Sequence, residues 1–442
     1  MGAAGQHEEA IRAFSAAYER LQAGESGLLP TAELEPAAGV PALDELPAAD
    51  PGEALKRVAV IKLNGGLATT MGLRQPKSLV QARDGRTFLG IIAGQARVLR
   101  ERYGVKLPLM LMNSEATREQ TRQALAASPE LDAASFIQSM VPKLDAESLE
   151  PVSWPPNPAL EWAPPGHGDV YGALRRSGAL ATLLEQGFEL AMISNCDNLG
   201  STVDERIARF VSEERIPFLM EVVIGTGAER KGGHIARRRS DGQLVLRETA
   251  QTPPGDEDSF RDYRRWRYYN TNNLWVDLRA LSNQLDAWDG VFELPLIVNR
   301  KTVDPRDPDS TGVLQLESAM GAAIGSFAGA RVVCVPRTRF APVKTTDDLL
   351  VLRSDIYTLS PELTVVSHRD DGPPYVELDP RYYRMLDQFE ARFPHGAPSL
   401  RDADRLVVHG DVTFEGGVVV RGAVELSPED PERIATGTVL SG

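Results

Sequence analysis

The sequence predicts an α/β protein that is built on a mostly parallel sheet. Short, continuous apolar runs such as 59–61, 107–112 and 188–194 alternate with segments of helical apolar spacing, such as 88–103. Continuous apolar strands are typical of a parallel sheet that helices cover on both faces. A third observation concerns the C-terminal part: from Leu406, β-branched runs are interrupted by glycine at near-hexapeptide intervals, which is typical of a β-helix.

Composition excludes several classes of protein. The net charge of −14 argues against a general nucleic-acid binder, which needs a basic surface. The chain has two cysteines, Cys196 and Cys334, so a disulfide framework is excluded. The acidic N-terminus has no signal-peptide pattern, and no apolar run reaches the roughly 18 residues that a membrane span needs. We therefore expect a soluble cytoplasmic protein with neither a nucleic-acid nor a membrane partner.

The chain is expected to have three parts, since its 442 residues exceed the usual size of one domain. Residues 1–54 form an N-terminal helix, over 8–22, and an arm rich in Pro, Ala, Gly and acidic residues. Residues 55–360 form the α/β domain, and residues 361–442 a connector and a short β-helix-like domain. One or two β-helix coils are too few to fold alone, so they must pack on another surface or subunit. Oligomerisation through the C-terminal region therefore remains open.

The first apolar strand ends in a glycine-rich loop, Leu63-Asn64-Gly65-Gly66, which Pro76-Lys77-Ser78 follows. A parallel strand that ends in such a loop presents backbone N–H groups at the carboxyl edge of the sheet, where phosphates bind. Lys77 can add a point charge to a phosphate held there. The alternative is an ordinary β-to-loop connection. Residues 78–80 are expected to form a strand.

A second glycine-rich turn, Gly166-His167-Gly168-Asp169, precedes a predicted helix that buries residues from Val170 to Leu184. Asp169 is expected to cap this helix, and a helix N-terminus after such a turn suits an anion. His167 lies between glycines, where a ligand can approach closely. A histidine that only completes the turn is the alternative interpretation.

The buried strand over 188–194 is followed by Asn195-Cys196-Asp197-Asn198. A carboxylate at the carboxyl end of a parallel strand suits a divalent metal that is bound to a phosphorylated ligand. The alternative is a turn in which Asp197 bonds its own backbone. Cys196 has no metal-ligand pattern around it, so it is interpreted as a small buried hydrophobe.

Three further polar segments each allow two interpretations. Asn270, Asn272 and Asn273 suit hydroxyl recognition, or they cap the helix that follows. Lys344 is either an active-site cation or a surface lysine with a buried stem. The basic cluster over 261–267 is expected to be a solvated, salt-bridged face rather than a nucleic-acid site.

Together these segments resemble the eukaryotic-type UTP–glucose-1-phosphate uridylyltransferases, also called UDP-glucose pyrophosphorylases. The matching segments run in family order from about residue 55 to 360: Lys-Leu-Asn-Gly-Gly-Leu with Pro-Lys-Ser, Leu-Met-Asn-Ser, Pro-Pro-Gly-His-Gly-Asp, Ser-Asn-Cys-Asp-Asn-Leu-Gly, Asn-Thr-Asn-Asn-Leu-Trp, Gln-Leu-Glu-Ser-Ala-Met and Arg-Phe-Ala-Pro-Val-Lys-Thr-Thr-Asp-Asp-Leu. The resemblance implies a Rossmann-like nucleotide-diphospho-sugar transferase domain and a C-terminal left-handed β-helix-like domain. It also implies the reaction of UTP with glucose 1-phosphate to UDP-glucose and pyrophosphate, with Mg²⁺.

The resemblance also assigns roles to individual positions. The residues that it implies for the nucleotide are Leu63, Asn64, Gly65, Gly66, Lys77, Gln138, Gly166 and Lys344. Those that it implies for the second substrate are Gly65, Gly66, His167, Asn195, Cys196, Asp197 and Asn272. Lys77 and Lys344 are the implied catalytic cations, and Asp197 is the implied metal ligand.

The sequence departs from the family pattern at a few positions. Ala68 stands where glycine is usual, so a methyl group near the phosphates or a costly positive φ is expected. Cys196 replaces a branched aliphatic residue, His234 replaces a smaller hydroxyl residue, and the C-terminal region is short. A catalytically weak homologue, for which Ala68 is the only reason, is one alternative. The other is a related transferase for another sugar 1-phosphate or another nucleotide, which would keep the phosphate contacts and differ at Gln138 and Asn272. An NAD-dependent dehydrogenase is disfavoured because the loop lacks Gly-x-Gly-x-x-Gly spacing.

Overall fold

The computed structural model of the chain describes residues 1–68, 71–226, 232–305, 307–370 and 372–442. The longer helices are α1 (Glu8–Gln22), α2 (Phe88–Tyr103), α3 (Glu115–Ala127), α4 (Val170–Arg176), α5 (Ala179–Glu185), α6 (Glu205–Glu213), α7 (Leu278–Ala287), α8 (Thr346–Arg353) and α9 (Leu386–Arg392). Strands of three or more residues up to residue 334 are β1 (Leu34–Pro36), β2 (Val58–Asn64), β3 (Gln81–Arg83), β4 (Leu109–Asn113), β5 (Ala133–Ile137), β6 (Leu190–Asn195), β7 (Phe218–Ile224), β8 (His234–Arg238), β9 (Leu244–Arg247), β10 (Tyr268–Asp277), β11 (Ile297–Thr302), β12 (Gly312–Glu317) and β13 (Arg331–Cys334). The later strands are β14 (Tyr357–Leu359), β15 (Val365–Ser367), β16 (Tyr375–Leu378), β17 (Ser399–Val408), β18 (Val412–Phe414), β19 (Val419–Leu426), β20 (Glu432–Ile434) and β21 (Val439–Ser441).

A central mixed sheet organises the α/β part, with strand order β1-β8-β10-β6-β2-β4-β5. Neighbours β6, β2, β4 and β5 are parallel, so their carboxyl ends meet at one edge. The long strand β10 runs antiparallel to both β6 and β7, and β7 pairs in parallel with β13. The predicted α/β class and the parallel sheet around the glycine-rich loop are confirmed.

Apolar residues cover both faces of this sheet, as the continuous runs predict. Val58 and Val60 of β2 pack into one apolar core, whereas Ala59 and Ile61 pack into the core on the opposite face. Side chains alternate along a strand, so a strand between two cores must be apolar at successive positions. The apolar run therefore places β2 in the middle of the fold.

The N-terminal segment contributes to the main fold. Helix α1 begins after His7, whose ring accepts a hydrogen bond from the N–H of Glu9, and its bounds match the predicted helix. The following arm adds β1 to the sheet edge, where Leu34 pairs with Arg238 of β8. Ser114 occupies the N-cap position of α3, and its N–H donates to Thr117 Oγ1 at 3.0 Å.

Two local predictions were wrong. Residues 77–79 form a 3₁₀ turn rather than the start of a strand, and the N–H of Lys77 donates to the carbonyl of Gly66. The predicted helix from Val170 is divided into α4 and α5, because Gly178 adopts a φ of 75° that ends the first helix. The turn at Lys77 folds the chain back towards the glycine-rich loop.

The C-terminal part consists of short parallel strands. Strands β16, β17, β19 and β21 form one parallel sheet, and β18 pairs in parallel with β20. Leu406 and Val408 belong to the same apolar core as Val60, so these strands pack on the α/β part. No helix among the residues described above has both the length and the apolar character needed to cross a membrane.

Candidate active site

A cavity of about 300 Å³ opens at the carboxyl edge of the parallel strands. It is lined by Leu63, Asn64, Gly65, Gly66, Lys77, Ser78, Met112, Gln138, Pro164, Gly166, His167, Asn195, Cys196, Asp197 and Lys344. Every residue that the sequence assigned to a site is therefore brought together here, with the exception of Asn272. Ser78, Met112 and Pro164 line the same cavity although no role was predicted for them.

The glycine-rich loop forms one wall and leaves room for a ligand. A Cβ on Gly65 would lie 2.8 Å from the side-chain nitrogen of Gln138, so the end of the Gln138 side chain would have to move to accommodate a larger residue. A Cβ on Gly66 would meet no atom within 4 Å. The carbonyl of Gly65 accepts a hydrogen bond of 2.8 Å from Ser114 Oγ, which fixes the loop to the start of α3.

Asn64 lines the cavity, but its side-chain nitrogen is used within the protein. Asn64 Nδ2 donates to Asn113 Oδ1 at 2.7 Å and to Thr121 Oγ1 at 2.9 Å. These bonds join the ends of β2 and β4 to α3 at the point where β2 enters the loop. The side chain of Asn64 thereby sets the direction of the glycine-rich loop.

Two lysines from distant segments meet one carboxylate. Lys77 Nζ lies 3.1 Å from Asp197 Oδ2, and Lys344 Nζ lies 3.0 Å from the same oxygen. Asp197 is buried, and its other oxygen, Oδ1, has no hydrogen-bond partner. The side chain of Asp197 thus points to the lysines and not to its own backbone, and Lys344 is not simply a surface lysine.

The segment that carries Lys344 is fixed at its other end by a helix cap. The N–H groups of Lys344 and Thr345 both donate to Asp348 Oδ2, at 2.6 and 3.0 Å. Thr345 and Asp348 form a capping box at the start of α8. The main chain of Lys344 is therefore held directly before a helix, while its side chain extends to Asp197.

The second glycine-rich turn is fixed by the segment that follows β12. Gly166 has a φ of 80°, and a Cβ there would lie 2.4 Å from the carbonyl oxygen of Ser318. The N–H of Gly168 donates to this oxygen at 2.9 Å, and the N–H of Ser318 donates to the carbonyl of Pro165 at 3.0 Å. Gly166 is required here by both its conformation and the close approach.

The same segment determines the tautomer of His167. The N–H of Met320 donates to His167 Nδ1 at 2.9 Å, so in the neutral ring the proton is on Nε2. Burial, and secondarily the charge of Lys344, lower the pKa of His167 to about 4. At neutral pH, His167 is therefore an uncharged hydrogen-bond donor at the cavity wall.

Asp169 does not cap the helix through its side chain, contrary to the prediction. One of its oxygens accepts a hydrogen bond of 2.7 Å from the N–H of Ser139, and the other pairs with Arg176. Arg176 also donates to Ser139 Oγ at 2.8 Å. Asp169 thus connects the His167 turn to the segment that carries Gln138, because Ser139 is its neighbour.

Two predictions about small residues in the site have clear outcomes. Cys196 is buried as predicted, and burial raises the pKa of its thiol to about 12, so it stays protonated. Ala68 does not adopt a positive φ and does not line the cavity. Its methyl group lies instead in the apolar core, so neither expected cost of this departure from the family pattern arises.

The amide cluster lies within strand β10 and outside the cavity lining. Asn272 has a φ of 57° at an irregularity of the pairing with β7, and its side chain accepts a bond of 2.9 Å from Asn270. The helix that follows is capped by Asp277, so the interpretation of the amides as a cap was wrong.

In the basic cluster over 261–267, no arginine forms an ion pair with a carboxylate of the described residues. The predicted salt bridges of this cluster were therefore wrong.

The donor set at Asp197 suits a divalent ion that a phosphorylated substrate also binds. No group of three or more His, Cys, Asp or Glu side chains in the described ranges could form a protein cage for a metal. Mg²⁺ is typically held by one or two carboxylates together with substrate phosphates and water. The unpaired Oδ1 of Asp197 fits that role as a single protein ligand.

A glycine-rich loop, two lysines and a carboxylate at the carboxyl edge of a parallel sheet are typical of an α/β enzyme that acts on phosphorylated substrates. The sequence profile of the family described as UTP–glucose-1-phosphate uridylyltransferase matches residues 13–421. The chain belongs to this family.

Relatives of known function and known structure are similar over almost the whole chain. The UTP–glucose-1-phosphate uridylyltransferase of Saccharomyces cerevisiae is 39% identical over 392 residues, which cover 87% of this chain and 77% of that protein. The enzyme of Hordeum vulgare is 39% identical and covers 84% of this chain and 78% of its own length. A substituted form of UDP-glucose pyrophosphorylase from Leishmania major, in complex with UDP-glucose, is 42% identical with a TM-score of 0.94, over 100% of this chain and 96% of that chain.

Proposed function

We propose that this protein transfers the uridylyl group of UTP to glucose 1-phosphate and releases pyrophosphate. The observation that carries this proposal is the convergence of Lys77 and Lys344 on Asp197 beside the glycine-rich loop. The family membership and the relatives that bind UDP-glucose give the substrates. The reaction needs two anionic substrates side by side, and cations from two distant segments suit that need.

The nucleotide would occupy the side of the cavity formed by the glycine-rich loop. Gly65 and Gly66 supply backbone at which phosphates can lie without steric hindrance. Gln138, next to Gly65, presents an amide that can both donate to and accept from the edge of a uracil base. Leu63 and Gly166 would complete the nucleotide side, with Asn64 holding the loop in place.

Glucose 1-phosphate would bind on the side of the second glycine-rich turn. The Nε2–H of neutral His167 suits a hydrogen bond to its phosphate. Asn195 ends strand β6, Cys196 and Asp197 follow it, and all three would lie against both substrates. Asn272 stays a prediction for this substrate, because it is the one assigned residue that does not line the cavity.

The chemistry needs no nucleophile from the protein, and Cys196 is protonated. An oxygen of glucose 1-phosphate attacks the α-phosphorus of UTP in line, and the bond to the pyrophosphate oxygen breaks. Lys77 and Lys344 neutralise the charge that develops on the phosphates, and the loops orient the two reactants. Mg²⁺, when bound to Asp197 and the phosphates, would supply further charge neutralisation.

Pyrophosphate release from UTP and glucose 1-phosphate tests this function. Lys344→Ala and Lys77→Ala should each lower kcat by at least about 100-fold, because each removes a cation at the reacting phosphates. Lys56→Ala, at an exposed lysine that forms an ion pair with the exposed Glu53 and does not line the cavity, is the matched control. Wild-type kcat in Lys344→Ala would contradict the role of that lysine, and no release by the wild type would contradict the function.

A related sugar 1-phosphate is the second candidate substrate, since the phosphate contacts would be the same. Initial rates with a panel of sugar phosphates and nucleoside triphosphates distinguish the two candidate substrates.

We further propose that the chain divides into residues 1–54, 55–360 and 361–442. The second part would have a Rossmann-like fold and the third a β-helix-like fold. The acidic composition with two cysteines supports a cytoplasmic location. Light scattering tests whether copies of the chain associate through their C-terminal strands.

A further inference from the structure

A short segment behind the cavity runs alongside the turn that carries Asp197. We call residues 339–343, which lead directly to Lys344, the strap. The N–H of Val343 donates to the carbonyl of Asp197 at 3.0 Å, and Pro342 forms an antiparallel bridge with Asn198. The two segments that provide Asp197 and Lys344 are thus attached to each other just below the cavity.

The side chain of Asn198 forms three hydrogen bonds that join this turn to neighbouring segments. Its Nδ2 donates to the carbonyl of Arg339 at 3.0 Å and to Asn273 Oδ1 at 3.2 Å. Its Oδ1 accepts a hydrogen bond of 3.0 Å from the N–H of Ala341. Only 2% of Asn198 is exposed, and it does not line the cavity, so it does not reach a substrate.

The far end of the strap is fixed by a buried ion pair. The guanidinium of Arg339 donates to both oxygens of Glu221, at 2.7 and 2.6 Å. Trp275 Nε1 and Asn273 Nδ2 also donate to this carboxylate, at 2.9 and 3.1 Å. Glu221 is fully buried. Arg339 balances its charge, and the two neutral donors complete the hydrogen bonding of its oxygens.

We propose that Asn198 is a positioning residue for Lys344, acting through the strap and without contacting a substrate. This proposal rests on the proposed function, in which Lys344 is a catalytic cation. Lys344 has a flexible side chain that is 58% exposed, so its place at Asp197 depends on where its main chain lies. The carboxamide of Asn198 holds that main chain by one bond to each end of the Arg339–Ala341 segment, and Glu221 holds the start of the strap.

A double-mutant cycle tests the proposal. Asn198→Ala should lower kcat about 100-fold with the KM of both substrates within about threefold, because a displacement near 1 Å at a reacting group has effects of this size. In a Lys344→Met background, Asn198→Ala should lower kcat less than threefold further, since there is no catalytic lysine left to position. Tyr383→Phe, which removes a buried hydrogen bond to Val412 between residues that do not line the cavity, is the control and should keep kcat.

Three outcomes overturn the proposal in distinguishable ways. A 100-fold loss in both backgrounds would show that Asn198 acts independently of Lys344, and wild-type kcat in Asn198→Ala would show that it positions nothing. A wild-type rate in Lys344→Met would instead contradict the catalytic role of Lys344 on which the proposal rests, whereas the proposed function itself would be contradicted only if the wild type released no pyrophosphate. If thermal denaturation shows that Asn198→Ala does not fold, the same cycle with Asn198→Ser applies, because a hydroxyl keeps part of the hydrogen bonding.

Discussion

Replacing Gly166 by alanine should separate the second glycine-rich turn from the segment that holds it. Gly166 has φ 80° and ψ 171°, a conformation that is almost confined to glycine. The added Cβ would lie 2.4 Å from the carbonyl oxygen and 2.7 Å from the nitrogen of Ser318. Both are backbone atoms, so no side-chain rotation can relieve the clash.

Two contributions determine the size of the effect. The backbone conformation costs an alanine about 1–3 kcal/mol. If Ser318 moves away, its two hydrogen bonds with Pro165 and Gly168 are lost, at about 0.5–1.5 kcal/mol each. Gly166→Ala should therefore lower the free energy of unfolding by about 2–6 kcal/mol, and it should weaken substrate binding because His167 is displaced.

Urea denaturation of Gly166→Ala and Gly178→Ala gives the comparison. Gly178 has a φ of 75° but no atom within 4 Å of an added Cβ, so its replacement should cost only about 1–2 kcal/mol. The difference between the two variants therefore reports the contact with Ser318 together with the extra cost of the ψ of 171° at Gly166, compared with 0° at Gly178. Equal losses of stability, with unchanged KM values in Gly166→Ala, would refute the reasoning that this contact holds the turn.

Two further predictions concern the core and the response to pH. Ala68→Gly should lower kcat less than about threefold in the pyrophosphate assay, because Ala68 packs in the core and does not line the cavity; complete inactivation would contradict this. His234 is fully buried against Trp266, and burial lowers its pKa to about 3 from the usual 6.5, so the unfolded chain binds a proton more readily below pH 6.5. Between pH 7 and 5 the wild type should lose about 2 kcal/mol of unfolding free energy more than His234→Phe, as measured by urea denaturation; parallel pH profiles would contradict it.

Local sequence signals predicted the parts of the site that depend on one segment. The apolar run of β2 followed by Gly65 and Gly66 indicated a loop at the edge of a parallel sheet. The position of Asp197 after β6 indicated a carboxylate at the same edge. The structure brings both to one cavity, because parallel strands end at a common edge.

Contacts between distant segments could not be predicted in this way. Gly166 needs its conformation because Ser318, about 150 residues later, approaches it. Asp169 has the sequence position of a helix cap, but Ser139 and Arg176 bind its carboxylate more favourably than the helix does. Ser318 and Met320 lie within a segment that resembles the family, and that resemblance was the one sign of their importance.

The electrostatics of the site also differ from what the whole sequence suggests. The net charge of −14 would repel two anionic substrates if it acted as a single field. At physiological salt, however, exposed charges farther away than about 8 Å are largely screened. Within about 3 Å of Asp197 Oδ2 there are two ammonium groups, on Lys77 and Lys344.

A third ammonium group lies below the same turn. Lys62 is buried, and its Nζ donates to Ser194 Oγ and to the carbonyl of Ser201, both at 2.7 Å. Burial lowers the pKa of Lys62 to about 8, so at neutral pH it still carries most of its charge. Lys62, Lys77 and Lys344 together outweigh the single carboxylate of Asp197, and this local excess of positive charge explains how an acidic protein can hold two phosphorylated substrates.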